Sequence, residues 1–406
     1  MPSSIAWLDH DPAAKERTNR ILSLFKERES RDELGLGFIR DSLSDLLFPG
    51  TSTLFTRLRY MLIVPWVYQH LEEQRVKSSS FSSRVSSLER SLIPVLLAGS
   101  MGEQGIIGSV AGAAVKRLPS SIYWSGLGSW GIRLSSASSF QYGADVDALY
   151  AARSRAASLY KRSRENYDDV TLDGLDTWCP DLPAAPADFP SALGIRMLRS
   201  ESLFIQGRIK ASHPSSLLAH LAFSSSLALS SFPWEYSGAL PDVLVGQLEQ
   251  ARLFSLVMYG ASILYNVMLA ELSESKELGS HDLPRKIALF ESWEASVMGE
   301  IECIRGWDLG TFFAMVPGVS AATIRFVYAW RDLVCSDFSL LSLSLARSLV
   351  RNREIFKKGR SRSRFLNERA LAQWGGSSGM YRLNYRWPVV LGLLGDLFSG
   401  LENDDA

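Results

Sequence analysis

Turned at about 100° per residue, the apolar positions of this chain fall on helical arcs over most of its length. Lys15 to Glu27 places Ile21, Leu22, Leu24 and Phe25 on one side. Phe38 to Leu47 does the same with Phe38, Ile39, Leu43, Leu46 and Leu47, and Phe48-Pro49-Gly50 ends it. The hydroxyls of Thr51-Ser52-Thr53 suit the capping of a following helix. That helix runs from about Leu54 to Gln74 and carries Pro65, which predicts a kink or break near Met61 to Val64. Ser78 to Ser87 reads as a serine-rich interruption before a further helix in SLERSLIPVLLAG. Pro119 to Leu134 reads as a helix capped by Ser120 or Ser121, burying Ile122, Trp124 and Leu127 and closing at Gly128 and Gly131. Leu193 to Leu272 and Pro284 to Leu349 look helical almost throughout, and a last helix covers Pro388 to Leu401. No long alternating run predicts a large sheet, and stretches such as Leu92 to Leu97 cannot be typed by period.

The fold class is therefore mainly α: many helices in two helical domains or lobes joined by a Pro/Asp-rich connection. That connection is Asn166 to Pro190, with Pro180, Pro183, Pro186 and Pro190 among Asp168, Asp169, Asp173, Asp176, Asp181 and Asp188. It divides an N-terminal domain, 1–165, carrying the DELGLGFIRD and FPGTST motifs, from a C-terminal domain, 191–406, carrying a basic segment at 351–369. No internal repeat of fixed period is visible.

Composition narrows the class further. Hydrophobic residues at 46% and charged residues at 21% exclude a disordered or fibrous chain. Leu253 to Ala270 is uncharged, at the lower limit for crossing a bilayer, but Ser255, Tyr259, Ser262, Tyr265 and Asn266 interrupt it. It reads as a buried core helix, with no membrane role. The cysteines Cys179, Cys303 and Cys335 are far apart and show no CxxC spacing, and the N-terminus lacks a signal-peptide pattern. A reducing cytoplasm is the expected location. Basic and acidic residues balance at 43 each, so any affinity for nucleic acid must come from a local patch.

Candidate chemistry is sparse. Gly102 to Gly108, GEQGIIG, is spaced G-x-x-G-x-x-G, follows no clear strand and lacks GK[ST], so a loop or helix terminator is the better reading. His10, His70, His213, His220 and His281 form no HExxH or Cys/His set, and no serine lies in a G-x-S-x-G elbow. No catalytic residue, metal or cofactor is assigned. One charged cluster, Arg40, Asp41, Asp45, Arg57 and Arg59, reads as salt bridges bracing two helices, or as a ligand site. With a metal, Asp41 and Asp45 would instead point to a nuclease or phosphoryl-transfer enzyme, but no third ligand is identifiable.

The strongest charge feature is RNREIFKKGRSRSRFLNER, with Arg351, Arg353, Lys357, Lys358, Arg360, Arg362 and Arg364. Arg382, Tyr385, Arg386 and Trp387 follow. Arginine forks and serine hydroxyls suit phosphate backbones, and interleaved aromatics suit exposed bases, in DNA or RNA. The alternative is a solvated helix end plus an aromatic turn packing the last helix.

DELGLGFIRDSLSDLLFPGTSTLFTRLRYMLIVPW, from Asp32 to Trp66, resembles a bacterial family of unknown function, DUF6361. The likeness opens at Ser4-Ile5-Ala6-Trp7-Leu8-Asp9 and recurs at Pro119 to Trp124, Gly126-Leu127 and Trp130 to Arg133. It returns at Trp374 to Gly379 and Leu383 to Trp387. Asn384 stands where aspartate is expected, which argues against a required carboxylate there. The resemblance carries no activity. It implies a setting in bacterial defence loci, beside helicases, DNA methyltransferases and phospholipase-D-like nucleases. The expectation is a non-catalytic anti-phage component that binds such partner proteins and nucleic acid. A purely structural adaptor is the plainer rival.

Overall fold

Apolar residues recurring three and four apart force helices wherever they meet a shared core, and helices are almost all that forms. The structure, a computed structural model, describes residues 32–166, 175–224, 230–336 and 344–403. Among these described residues there are fifteen α-helices and no strand. They are α1 (Gly37–Leu47), α2 (Tyr60–Glu73), α3 (Ser78–Gly99), α4 (Pro119–Ser129), α5 (Ser139–Asn166), α6 (Arg199–Ser212), α7 (Leu217–Leu221) and α8 (Asp242–Ser275). There follow α9 (Leu283–Met298), α10 (Ile301–Arg305), α11 (Leu309–Met315), α12 (Ala321–Val334), α13 (Ser344–Lys358), α14 (Glu368–Ala372) and α15 (Trp387–Glu402). The helix expected over Lys15 to Glu27 and the Ser4–Asp9 motif lie outside the described residues.

The chain forms two compact units, each discontinuous in sequence. Unit 1 takes residues up to Leu43 and Gly246–Leu383; unit 2 takes Ser44–Val245 and Asn384–Ala406. This replaces the sequential pair of domains expected from the Pro/Asp-rich stretch. The described part of that stretch is stitched into unit 2: Leu134 N–H donates to Thr177 O (2.9 Å), Cys179 N–H to Ile132 O (2.8 Å) and the Trp66 indole to Pro183 O (2.7 Å). Proline density signals irregular backbone, but hydrogen bonds decide whether that backbone is a linker.

Unit 1 is organised on α8. The apolar run expected to be a core helix is one: 89% of its most apolar window is buried within the protein. Three indoles read α8 directly. Trp293 donates to Leu256 O and Trp330 to Val257 O, each at 2.8 Å, and Trp307 donates to Gln250 Oε1 at 2.7 Å. Gly260 permits this closeness, since a Cβ there would sit 2.1 Å from the Trp293 ring.

In unit 2, Tyr68, Trp124, Tyr142 and Trp178 form an aromatic core with centroids 5.0–5.9 Å apart. Buried Glu72 satisfies its polar tips, accepting from Tyr142 Oη, Trp178 Nε1 and Arg153 Nη1. A Cβ at buried Gly400 would lie 2.1 Å from Ser202 Oγ, so glycine there lets α15 lie against α6.

Local expectations shifted where burial overrode propensity. Ser78 to Ser87 begins α3 rather than interrupting it, because Phe81, Val85, Leu92 and Leu96 share one buried face. Thr51 and Ser52 pin turns instead of capping a helix: Thr51 Oγ1 donates to Phe48 O (2.7 Å), and α2 starts only at Tyr60. That late start puts Pro65 soon after the first turn, and the helix runs unbroken through it. In α1, Ile39, Leu43 and Leu47 are buried as expected, but Phe38 is 52% exposed. Ile122 is half-buried, the core position passing to Tyr123. Ser120 does not cap α4 but donates to Glu89, and Pro119 occupies the first turn. Among the described residues of 193–272, the α-helices are α6, α7 and α8, with a 3-10 turn at Pro233–Glu235.

Candidate functional site

Glu33 and its neighbours fix the chemistry of unit 1. Asp32 accepts the Leu36 and Gly37 N–H groups through its two carboxylate oxygens, both at 2.8 Å, and so closes the start of α1. Glu33, 7% exposed, is gripped by Lys358 Nζ and by Arg364 Nη1, the latter at 2.7 Å. Arg353 donates to Leu34 O (2.7 Å), to Gly35 O (3.5 Å) and to Thr323 Oγ1 (2.7 Å). Gly35 is left-handed, and a Cβ there would meet the Arg353 and Lys357 side chains at 2.7 Å. DELGLG is thus a loop cast around cations from the basic segment.

The clamp continues outward. Glu354, fully buried, accepts from Ser363 Oγ (2.6 Å) and Arg364 N–H (2.8 Å), and burial pushes its carboxyl upward against those bonds. Arg364 Nη1 also donates to Tyr265 Oη (3.0 Å) and Ser378 Oγ (3.1 Å). Buried Asn266 then holds the Ser378 backbone from both sides, donating to its carbonyl and accepting from its N–H at 2.8 Å each. Tyr265 and Ser378 border a cavity of about 70 Å³, whose lining also includes Asp32, Glu33, Arg40 and Tyr381. Within unit 1, the first and last signature blocks therefore meet in one cavity.

They meet again within unit 2. Arg386, in a left-handed conformation uncommon for a side-chain-bearing residue, donates to Asp45 Oδ1 (2.6 Å) and Thr51 O (2.8 Å). Trp387 stacks on Phe48 with centroids 5.7 Å apart. Asn384 contributes its carbonyl to the Trp387 N–H (2.9 Å), a bond any residue would supply.

The charged cluster read from the first block is dispersed into separate pairs. Arg40 Nε bonds Asp41 at 3.0 Å; burial alone would lower the Arg40 pKa, but the Asp41 bond and charge raise it. Asp45 takes Arg386. Arg57 makes a fork with Asp396 (2.9–3.0 Å) and also reaches Glu103 (2.8 Å) and Gln104 O (3.0 Å). Arg59, 5% exposed, pairs with Glu201 at 2.6 Å. Of these pairs, Arg40–Asp41 joins two members of the cluster, neighbours on α1, and the others reach partners elsewhere in the sequence. Asp41 and Asp45 stand on the same helix, α1, and take different partners, Arg40 and Arg386. Among the described residues, no three His, Cys, Asp or Glu side chains are grouped to hold a metal ion.

Arg57 and Asp396 border an open depression of about 830 Å³ in unit 2, with Arg196 and the 101–105 loop. The glycine-rich run forms this turn: Gly102, Gly105 and Gly108 are all left-handed, and Ile107 N–H donates to Tyr60 Oη (2.9 Å).

The nine basic residues assigned to nucleic acid divide into two groups. Arg353, Lys358, Arg364 and Arg386 are committed to partners inside the protein, and Tyr385 and Trp387 are buried rather than presented for stacking. Arg351, Arg360 and Arg362 are exposed, Lys357 and Arg382 half-buried. Arg351 lies over the Phe365 ring at 5.8 Å, Arg362 Nε donates to Lys358 O (3.2 Å), and Phe356 is 68% exposed on the same helix end. Residue-type reasoning missed Glu33, Tyr265 and Asn266. For Tyr265 and Asn266 the signal was present: polar groups inside an apolar helix require partners.

The model of a family of unknown function, DUF6361, matches residues 2–400. No curated protein and no solved structure matches the chain.

Proposed function

We propose that this chain, which belongs to the DUF6361 family, is a non-catalytic binding component of a bacterial anti-phage defence system. It engages nucleic acid and partner proteins in the cytoplasm, the partners being of the helicase, methyltransferase or nuclease kind that the family setting implies. The observation that carries the reading is the surface remainder of the basic segment. Once the internal clamps are subtracted, Arg351, Arg360 and Arg362 stay exposed, and so does the ring of Phe356 on the helix that carries Arg351. Guanidinium forks with an aromatic face are the means by which single strands are held without sequence preference.

The test is fluorescence anisotropy with labelled single-stranded DNA, duplex DNA and RNA. Wild type is compared with a variant carrying Arg351→Ala, Arg360→Ala and Arg362→Ala. Salt-sensitive binding that weakens by at least about tenfold in the variant is expected. Equal affinity in both proteins, or no salt-sensitive binding in either, would sink the nucleic-acid part.

A further inference from the structure

We propose that the unit 1 cavity beside Glu33 is a binding site for a small phosphate-type oxyanion, received by the hydroxyls of Tyr265 and Ser378. Arg364 reaches both hydroxyls. Its Nη1 donates to both hydroxyl oxygens, at 3.0 and 3.1 Å. A hydroxyl whose lone pair is taken by a cation keeps one hydrogen to give, and the cation polarises it into a better donor. Neither hydrogen has an acceptor among the described residues. Tyr265 is 1% exposed and lines the cavity, as does Ser378. An acceptor in the cavity completes both; for Tyr265, fully buried where Ser378 is half-buried, a donor left without one is costly.

The acids at this site are each engaged, which reduces but does not remove the negative charge an anion meets. Both Asp32 oxygens accept backbone N–H groups, and Glu33 is neutralised by Lys358 and Arg364. Arg40 supplies a guanidinium at the lining, its charge shared with Asp41. Burial raises the Tyr265 phenol, against the lowering effect of Arg364, so it remains a protonated donor at any working pH. A cavity of about 70 Å³ holds a few waters or one compact oxyanion. Asn266 fixes the Ser378 backbone, so the donor pair is set before any ligand arrives.

Equilibrium dialysis with radiolabelled inorganic phosphate at fixed ionic strength tests this, with adenosine monophosphate as a second probe. One phosphate per chain at millimolar concentration is expected, with binding about tenfold weaker in Tyr265→Phe. Ser378→Ala is a second variant, should Tyr265→Phe fail to fold by circular dichroism. Arg360→Ala with Arg362→Ala should bind phosphate as wild type does, separating this site from the surface arginines. Tighter binding of the monophosphate would support the site and assign the oxyanion to a nucleotide; equal binding would support it and assign free phosphate. Absence of phosphate binding in wild type, or full binding in both hydroxyl variants, overturns the proposal and leaves a water-filled cavity.

Discussion

Glu33 in unit 1 and Asp396 in unit 2 are both held by arginine, yet they do different things with it. Asp396 receives the Arg57 fork and the Leu58 N–H (2.8 Å), while Arg57 goes on to Glu103 and the Gln104 carbonyl. Each hydrogen Arg57 gives there ends on a carboxylate or carbonyl oxygen, neither of which has a hydrogen to pass on, and Glu103 also accepts from Arg196 Nε at 2.6 Å. Around Glu33, the two Nη1 hydrogens of Arg364 are shared between the Glu33 carboxylate and two hydroxyls, and each hydroxyl retains a hydrogen of its own. One cluster closes on itself; the other relays donor character into a cavity. The same ingredients therefore give a brace in one unit and a candidate ligand wall in the other, and the difference lies in what stands next to the arginine.

Breaking the relay should cost most. Glu33→Ala leaves Lys358, 6% exposed, and Arg364 without their carboxylate. Removing one partner of a buried pair typically costs about 3–5 kcal/mol, to be read as a lowered unfolding free energy in urea. A loss below about 1 kcal/mol would show that Glu33 behaves like a surface ion.

Glu89 in unit 2 offers a pH test of comparable size. It is 3% exposed and accepts Ser120 N–H and Oγ at 2.6 and 2.8 Å. Burial raises its carboxyl from 4.5 to about 7, the Ser120 bonds pulling the other way. The native state thus holds this proton more tightly than the unfolded chain does. Its contribution is fully present below pH 4.5 and is lost as pH rises through 7. The loss is about 3 kcal/mol at one pKa unit per 1.4 kcal/mol. Glu89→Gln should flatten that decline; an unchanged slope would contradict the assignment.

Arg57→Lys keeps the charge at the closed cluster and removes the fork to Asp396. About 1–2 kcal/mol of stability should be lost, with no change in phosphate binding by dialysis. Smallest of all, Arg360→Ala with Arg362→Ala should leave stability within about 0.5 kcal/mol of wild type, because both side chains are exposed. A larger loss would place these arginines with the braces.

The helical class was legible because residues such as Ile39, Leu43 and Leu47 declare their shared face locally. The buried status of 253–270 was legible too, from the polar residues that interrupt it. Pairings were not. Arg364 finds Glu33 331 positions away, and nothing local marks which cation of RNREIFKKGRSRSR turns inward. Basic density alone cannot separate Arg353 and Lys358, which close a loop, from Arg351 and Arg360, which face outward. Likewise, proline and aspartate at 175–190 advertised irregular backbone correctly but not that its amides and carbonyls bond into unit 2.

The division of the basic segment is the central claim, and the salt dependence of single-stranded DNA affinity tests it most directly. Replacing Arg351, Arg360 and Arg362 by alanine should reduce the slope of log K against log salt by about 2, at roughly 0.7 for each phosphate no longer neutralised, while the unfolding free energy holds. A slope unchanged from wild type would contradict the claim and return these arginines to ordinary solvated surface.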